Sequence, residues 1–578
     1  MPSSSLSRAI RTGVAALALL AAGAQARESL AIPTPFEVGE SPAGNYLAAL
    51  VAGAERDTLA ASTYFQEALR YDPRNAELIE RAFVSALANG SMADAFRLAE
   101  RLVKRDATNS LAQMALGVKA LKARQYGDAR VYLGKSGSGL QRDLVSTLLT
   151  AWTYAGAGDG KRALETLDKL PPDAFGVFRD YHGGLIADLA GNVPEATRRF
   201  KAAYGAEKGT LRLSDAYARF LDHRGDPAEA RRVYESFDAQ LPNHPLIAAA
   251  LTQLKAGKKL EPLVKSAEAG AAEVLYGLGA AGRQGDELAA MVYLRLALYL
   301  TPSNALAIVT LADIYDRLRQ PERAIDVYEL VPDDSPLRTN ADIQTGLTLE
   351  TLGRNEAALK QLASVVAGRP GDAEALTALG NLQRARKQFP EAAATYSKLI
   401  ELNPNPARAD WVNYYNRGIS YERSKQWPLA EKDFQKALEL SPDQPLVLNY
   451  LGYSWIDQGF NLDEGFKMLR RAVDQRPDDG YIIDSLGWAF YKLGRYDEAA
   501  LELERAIEKK SSDPVINDHL GDAYWQVGRK LEATFQWNHA RDLKPEPDDL
   551  VVILKKIEGG LVEKKPGESE AAPAKNGG

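Results

Sequence analysis

Two glycine-rich runs and a scatter of acids and histidines are the residues whose spacing first suggests chemistry. The run GKSGSG, Gly134 to Gly139, has the small residues and the lysine of a phosphate-cradling loop. Such a loop needs a glycine five residues before Gly134, where this chain has Ala129, and a buried strand leading into it, which the pattern does not supply. A connection between helices is the better reading. AGAGDGKR, around Gly160, fails the dinucleotide-binding spacing, because Lys161 stands where the last glycine belongs. The five histidines, His182, His223, His244, His519 and His539, include no pair at metal-ligand spacing, and there is no HExxH. His519 and His539 fall on helices expected to face each other, yet packing or surface positions account for both. Asp518 and Asp522, four residues apart, share a helical face and read as an electrostatic patch rather than an acid–base pair. No catalytic, cofactor-binding or metal set emerges, so the chain reads as non-enzymatic.

The whole chain narrows this further. Its 578 residues exceed one ordinary core and imply several domains or a repeat array. With 45% hydrophobic and 26% charged residues it has the composition of a folded protein. A net charge of −6 argues against nucleic acid as a partner, and pairs such as Arg231-Arg232 read as solvated helix faces. The absence of cysteine removes disulfides, thiolate metal sites and a lipid-modified N-terminal cysteine together.

The start of the chain carries Arg8 and Arg11 and then an apolar run, Gly13 to Ala24. Ala24-Gln25-Ala26 has the small-x-small form of a signal-peptidase site, with Arg27 as the new N-terminus. The run is too short to cross a bilayer, so residues 1–26 are expected to be a cleaved signal peptide, an uncleaved anchor being the alternative. No later stretch approaches the length of a membrane-spanning helix, and a periplasmic location is the expectation.

The elements that position these residues repeat. Gly487 in DSLGWAFYKLGRYDEAALELERAI recurs 34 residues later as Gly521, and Ala499 and Ala506 recur as Ala533 and Ala540. Gly418 and Gly452 are again 34 apart, as are Gly380 and Gly346, and Gly346 and Ala312. In the N-terminal half Ala61, Ala95, Ala129 and Ala163 keep the same step. Each unit reads as two amphipathic helices whose small positions allow close approach while bulky neighbours fill the space between. Pro302, Pro370, Pro404, Pro442, Pro477 and Pro545 close units, because proline cannot continue a helix.

On these residues the chain resembles the tetratricopeptide-repeat (TPR) family, whose 34-residue helix-turn-helix period it shares, with about fourteen units between Pro42 and Pro545. The resemblance implies an all-α fold, a TPR α-solenoid coiled as a right-handed superhelix. The phase breaks between Ala230 and Ala290. The expected organisation is a linker at 27–41, an N-terminal array at 42–252, a degenerate junction at 253–275 and a C-terminal array at 276–545. A polar-faced capping helix at 546–560 and a disordered tail at 561–578 complete it.

In the family the first helix of each unit lines the concave groove. Carried over by position, the partner-binding groove consists of Tyr415, Tyr453, Tyr481, Asp484, Trp488, Tyr491, Asp518, Asp522 and Trp525. Trp488 and Trp525 are expected to contact a partner, with packing inside the array as the alternative; Trp455 and Trp537 fall at packing positions. Aromatics and acids stand where the carboxylate-clamp kind of TPR domain has Lys, Arg and Asn, so the expected partner has apolar anchors and some positive charge. Export plus a long TPR array resembles the LbcA-like and NlpI-like envelope lipoproteins, although no lipobox cysteine is present. That resemblance implies a scaffold or adaptor for protein partners, such as a carboxyl-terminal processing protease or a cell-wall hydrolase. The alternative is an assembly factor for envelope polysaccharide or outer-membrane machinery.

Overall fold

The computed structural model describes residues 38–39, 41–136, 140–282 and 285–561. The expected signal peptide, nearly all of the linker, the end of the GKSGSG run and the tail beyond Leu561 lie outside the described residues. Among those described there are thirty α-helices and one short 3-10 turn, with no strand.

Local signals set each helix pair. Asp479 caps the helix Gly480–Lys492, accepting hydrogen bonds from the amides of Tyr481 and Ile482, and Asp513 repeats the arrangement for Pro514–Gln526. Asn304 and Asp372 do the same for Ala305–Arg317 and Ala373–Ala385. A proline two residues before Asn304, Asp372 and Asp479 ends the preceding helix, so one short segment closes one element and opens the next. Within a pair the turn needs one left-handed residue, and Gly494 at φ +75° supplies it between Gly480–Lys492 and Tyr496–Lys509.

The small positions are where the two helices of a pair touch. A Cβ on Gly487 would lie 2.6 Å from Leu503 Cγ, one on Gly418 2.8 Å from Phe434 Cε1, and one on Gly521 2.5 Å from Trp537 Cδ1. Ala499, Ala506, Ala533 and Ala540 are fully buried on the facing helices. Gly487→Val therefore overpacks this contact and should cost about 1–3 kcal/mol in chemical denaturation. Gly277, inside the helix Ala267–Ala280, meets nothing within 4 Å, and Gly277→Ala should instead stabilise by about 0.5–1 kcal/mol. Equal effects of the two substitutions would remove the packing role of the small positions.

The chain divides into two compact units between Ala341 and Asp342 rather than at the expected junction, 253–275. The reason lies in the first unit. The helices Ala267–Ala280 and Glu287–Leu300 fold back onto first helices of earlier repeats: the former onto Leu140–Gly156, the latter onto Ala76–Asn89 and Ser110–Lys122. Gly270 permits the first crossing, since a Cβ there would stand 2.3 Å from the Trp152 ring. Lys122 Nζ donates to the Leu300 carbonyl at 2.6 Å, and Arg124 pairs with Glu268 at 2.9 Å. Ser110–Lys122 is consequently buried around most of its circumference. The first-helix positions that the resemblance assigns to a groove are here covered by the chain's own later helices.

The phase break has a local cause as well. Pro245–Lys255 is followed by an irregular run, residues 256–266, in place of a second helix. Leu260 and Val264 from that run are buried, and the Leu260 amide donates to Asp222 at 2.7 Å. In the second unit the helices from Ala373–Ala385 through Lys530–Asp542 stack in consecutive pairs, and the unpaired Pro547–Gly559 follows them; their apolar residues form three clusters.

Candidate functional site

The three first helices Pro445–Gln458, Gly480–Lys492 and Pro514–Gln526 carry most of the residues assigned to the groove. Their register brings these together on one face, but not as an open surface. Trp488 is half-buried, with its ring stacked between His519 (centroids 4.0 Å apart, planes 15°) and Tyr491 (4.7 Å, 6°). Lys492 lies 5.6 Å from the Trp488 ring and 3.0 Å from Asp457, adding a cation to the edge of the stack. His519 is buried and its Nδ1 sits 3.0 and 3.1 Å from the two Asp484 oxygens, so Asp484 is committed to the next repeat.

Asp518 and Asp522 are also buried, and both are met by Lys556 of the terminal helix Pro547–Gly559. Lys556 Nζ lies 2.8 Å from both oxygens of Asp518 and 2.7 Å from Asp522. Trp537 Nε1 donates to Asp522 at 2.9 Å. Burial, together with the neighbouring Asp518, pushes the Asp522 carboxyl above its ordinary range, against the pull of Lys556. Burial alone would lower the Lys556 ammonium, but the two carboxylates hold it above the usual lysine value.

The remaining positions divide by exposure. Tyr453 is buried, and burial, Asp457, Asp484 and Asp549 raise its hydroxyl well above the ordinary value. Tyr491 is half-buried and pushed up to about 12, mainly by burial and then by Asp522; it accepts a hydrogen bond from Gln526 at 3.4 Å. Trp525 packs 5.4 Å from Trp537 and 4.9 Å from Lys530. Tyr415 belongs to an aromatic group with Trp411, Phe434 and Tyr450, and burial moves its hydroxyl to about 12. Tyr481 is 37% exposed.

The expected open groove is thus corrected at Asp484, Asp518 and Asp522, which internal partners already occupy, and at Tyr453, which is buried in the core. The residues missed from sequence are His519 and Lys556. Lys556 had a visible sign, a lysine three residues after Ile553 on the apolar side of LVVILKKI. The terminal helix is not the polar-faced cap expected either, since Val551 (53%) and Leu554 (40%) are exposed on its outer side.

Among the described residues there is no cluster of three or more His, Cys, Asp or Glu able to hold a metal ion. His539 Nδ1 lies 3.2 Å from Asn517 Oδ1, while His519 turns to Asp484. Among the described residues no helix is long and apolar enough to cross a membrane.

His182, in the first unit, shows what its burial does to an imidazole. It accepts a hydrogen bond from Trp152 Nε1 at 3.3 Å and lines a cavity with Phe178, Tyr181, Arg212 and Glu273. Burial lowers its pKa to about 4, with Glu273 opposing. The unfolded chain takes up this proton near pH 6.5, whereas the folded chain resists until about pH 4. Stability is therefore retained above pH 6.5 and lost as pH falls towards 4, by about 3 kcal/mol in total. Denaturant titrations at pH 7 and pH 5 should show the loss, and His182→Gln should reduce it; unchanged pH dependence in that variant would contradict the assignment.

The geometry defines a class, an α-solenoid of stacked helix pairs with small residues at the intra-pair contact. Sequence comparison gives the family. Family profiles described as tetratricopeptide repeat match residues 343–406 and 413–444, and one described as TPR repeat matches residues 487–528. Over these residues the chain carries tetratricopeptide repeats. It is similar to a TPR repeat-containing protein of Pseudomonas aeruginosa, 25% identical over 197 residues, covering 33% of this chain and 31% of that one. It is also similar to human tetratricopeptide repeat protein 13, 30% identical over 142 residues, covering 25% of this chain and 16% of the relative. The matches thus span less than a third of these relatives' length. A solved tetratricopeptide repeat protein from Parabacteroides merdae aligns over 44% of this chain and 98% of its own, at 17% identity and a TM-score of 0.38.

Proposed function

We propose that the protein is a non-enzymatic adaptor in the bacterial cell envelope, which holds partner proteins on the first-helix face of its second unit. TPR arrays act as protein-interaction scaffolds, because stacked rigid repeats present a large surface at little ordering cost. The observation that carries the reading to this unit is the seat of Lys556. A face that buries a lysine between Asp518 and Asp522, beside Trp488, Tyr491 and Trp525, has the means to hold a helix. In the first unit the corresponding face is filled by Ala267–Ala280 and Glu287–Leu300.

The envelope location rests on Arg8, Arg11, the apolar run and Ala24-Gln25-Ala26. N-terminal sequencing of the mature protein from the periplasmic fraction should begin at Arg27; a chain kept in the cytoplasm would defeat this part. The partners we propose are a carboxyl-terminal processing protease or a cell-wall hydrolase. Affinity capture with the full mature chain from envelope extract should recover one of them. Recovery of neither, and of no envelope assembly factor, would overturn the adaptor reading.

A further inference from the structure

The helix Pro547–Gly559 lies on the face that the repeat register reserves for a partner. Its Lys556 enters between Asp518 and Asp522, Asp549 stands in the field of the Tyr453 hydroxyl, and Gly560 seats against Trp525. A Cβ on Gly560 would lie 2.1 Å from that indole, and its φ of +73° is one that only glycine adopts easily. Ile553, 1% exposed, joins the core that holds Tyr453 and Ile456, and Ile557 and Leu561 pack against it. The occupant is thus a helix with one lysine set among aliphatic side chains.

Three features separate it from a plain end cap. A cap should show a polar outer face, yet Val551 and Leu554 are exposed. Two buried carboxylates meet one ammonium, and a buried ion pair confers selectivity for a cation more than it adds stability over apolar packing. On the same run of first helices, among the described residues, Trp488 Nε1 and His519 Nε2 are buried with no hydrogen-bond partner. Such groups cost free energy until something supplies a donor or acceptor.

We propose that this face is an exchangeable helix-binding site: the terminal helix is its resident occupant, and the partner is a basic amphipathic helix of another protein. That partner places a lysine or arginine where Lys556 sits, with aliphatic residues at the spacing of Ile553 and Ile557. The inference rests on the scaffold reading and names the site and partner chemistry for it.

The probe is a labelled synthetic peptide of residues 545–561, PEPDDLVVILKKIEGGL, added to the full chain. Lys556→Glu repels the helix from its acids, and Gly560→Val, independently, forces it off Trp525. Each variant leaves the face itself unaltered. Both should bind the peptide about tenfold or more tightly than the wild type does, because the occupied fraction no longer competes. A peptide carrying Lys556→Glu should not bind. On the wild-type chain, excess peptide should raise hydrogen exchange in residues 547–559. Failure of both variants to bind the peptide, with the terminal helix shown open by hydrogen exchange, overturns the proposal, as does affinity equal to wild type. Equal capture of envelope partners by wild type and both variants would overturn this site alone and leave the scaffold standing.

Discussion

Trp537→Ala should lower the stability of the C-terminal repeats by about 3–5 kcal/mol, the range for truncating a fully buried aromatic. Trp537 has no solvent exposure, Gly521 is flush with its ring, and its Nε1 hydrogen-bonds Asp522. Truncation opens a cavity and removes one donor from a buried carboxylate that already resists ionisation. Because repeats hold only their neighbours, the loss should be local. Hydrogen exchange should accelerate across residues 514–559 while residues 413–444 keep their protection. Trp488→Ala should cost less, about 1–3 kcal/mol, since that ring is half-buried and is held chiefly by stacking on His519 and Tyr491. A reversed order of the two would mean that Trp488 is the packing residue and Trp537 is not.

Lys556→Met should have the second large effect. The substitution keeps the apolar stem but leaves Asp518 and Asp522 buried together without their cation, a change that typically costs about 3–5 kcal/mol. The loss cannot exceed what docks the terminal helix, so the helix should detach rather than the repeats unfold. Residues 547–559 should then exchange freely while Gly480–Lys492 remains protected. Adding Asp518→Asn and Asp522→Asn to Lys556→Met removes the stranded charge and should restore most of the docking. If Lys556→Met alone leaves exchange in 547–559 unchanged, the lysine does not hold the helix in place.

These two cases mark what the sequence could and could not disclose. Gly418, Gly487 and Gly521 were readable because their contacts, Phe434, Leu503 and Trp537, lie sixteen residues away inside the same unit and recur with it. Any contact that repeats leaves a periodic trace. The pairing of Thr58 with Tyr315 (3.5 Å) or of Lys556 with Asp518 occurs once, between distant segments, and leaves none. For the same reason the filled face of the first unit, and with it the division after Ala341, could not be read from the phase break near 253–275. The groove register placed Trp488, Tyr491 and Trp525 on one face with Asp518 and Asp522. Register alone could not show that His519 and Lys556 would reach them first.

The preference inferred for that face, apolar anchors with positive charge, matches the chemistry of Ile553, Lys556 and Ile557, the chain's own occupant. The central claim is that partners engage first-helix positions of the second unit. Site-specific photocrosslinking in cells tests it most directly. The reactive residue is placed at Val412 and Tyr481, 39% and 37% exposed on first helices, and in parallel at Leu501 and Phe535, 60% and 67% exposed on second helices. The account predicts protein adducts from Val412 and Tyr481 and none from Leu501 or Phe535. Adducts from the second-helix positions alone, or from none of the four, would contradict it.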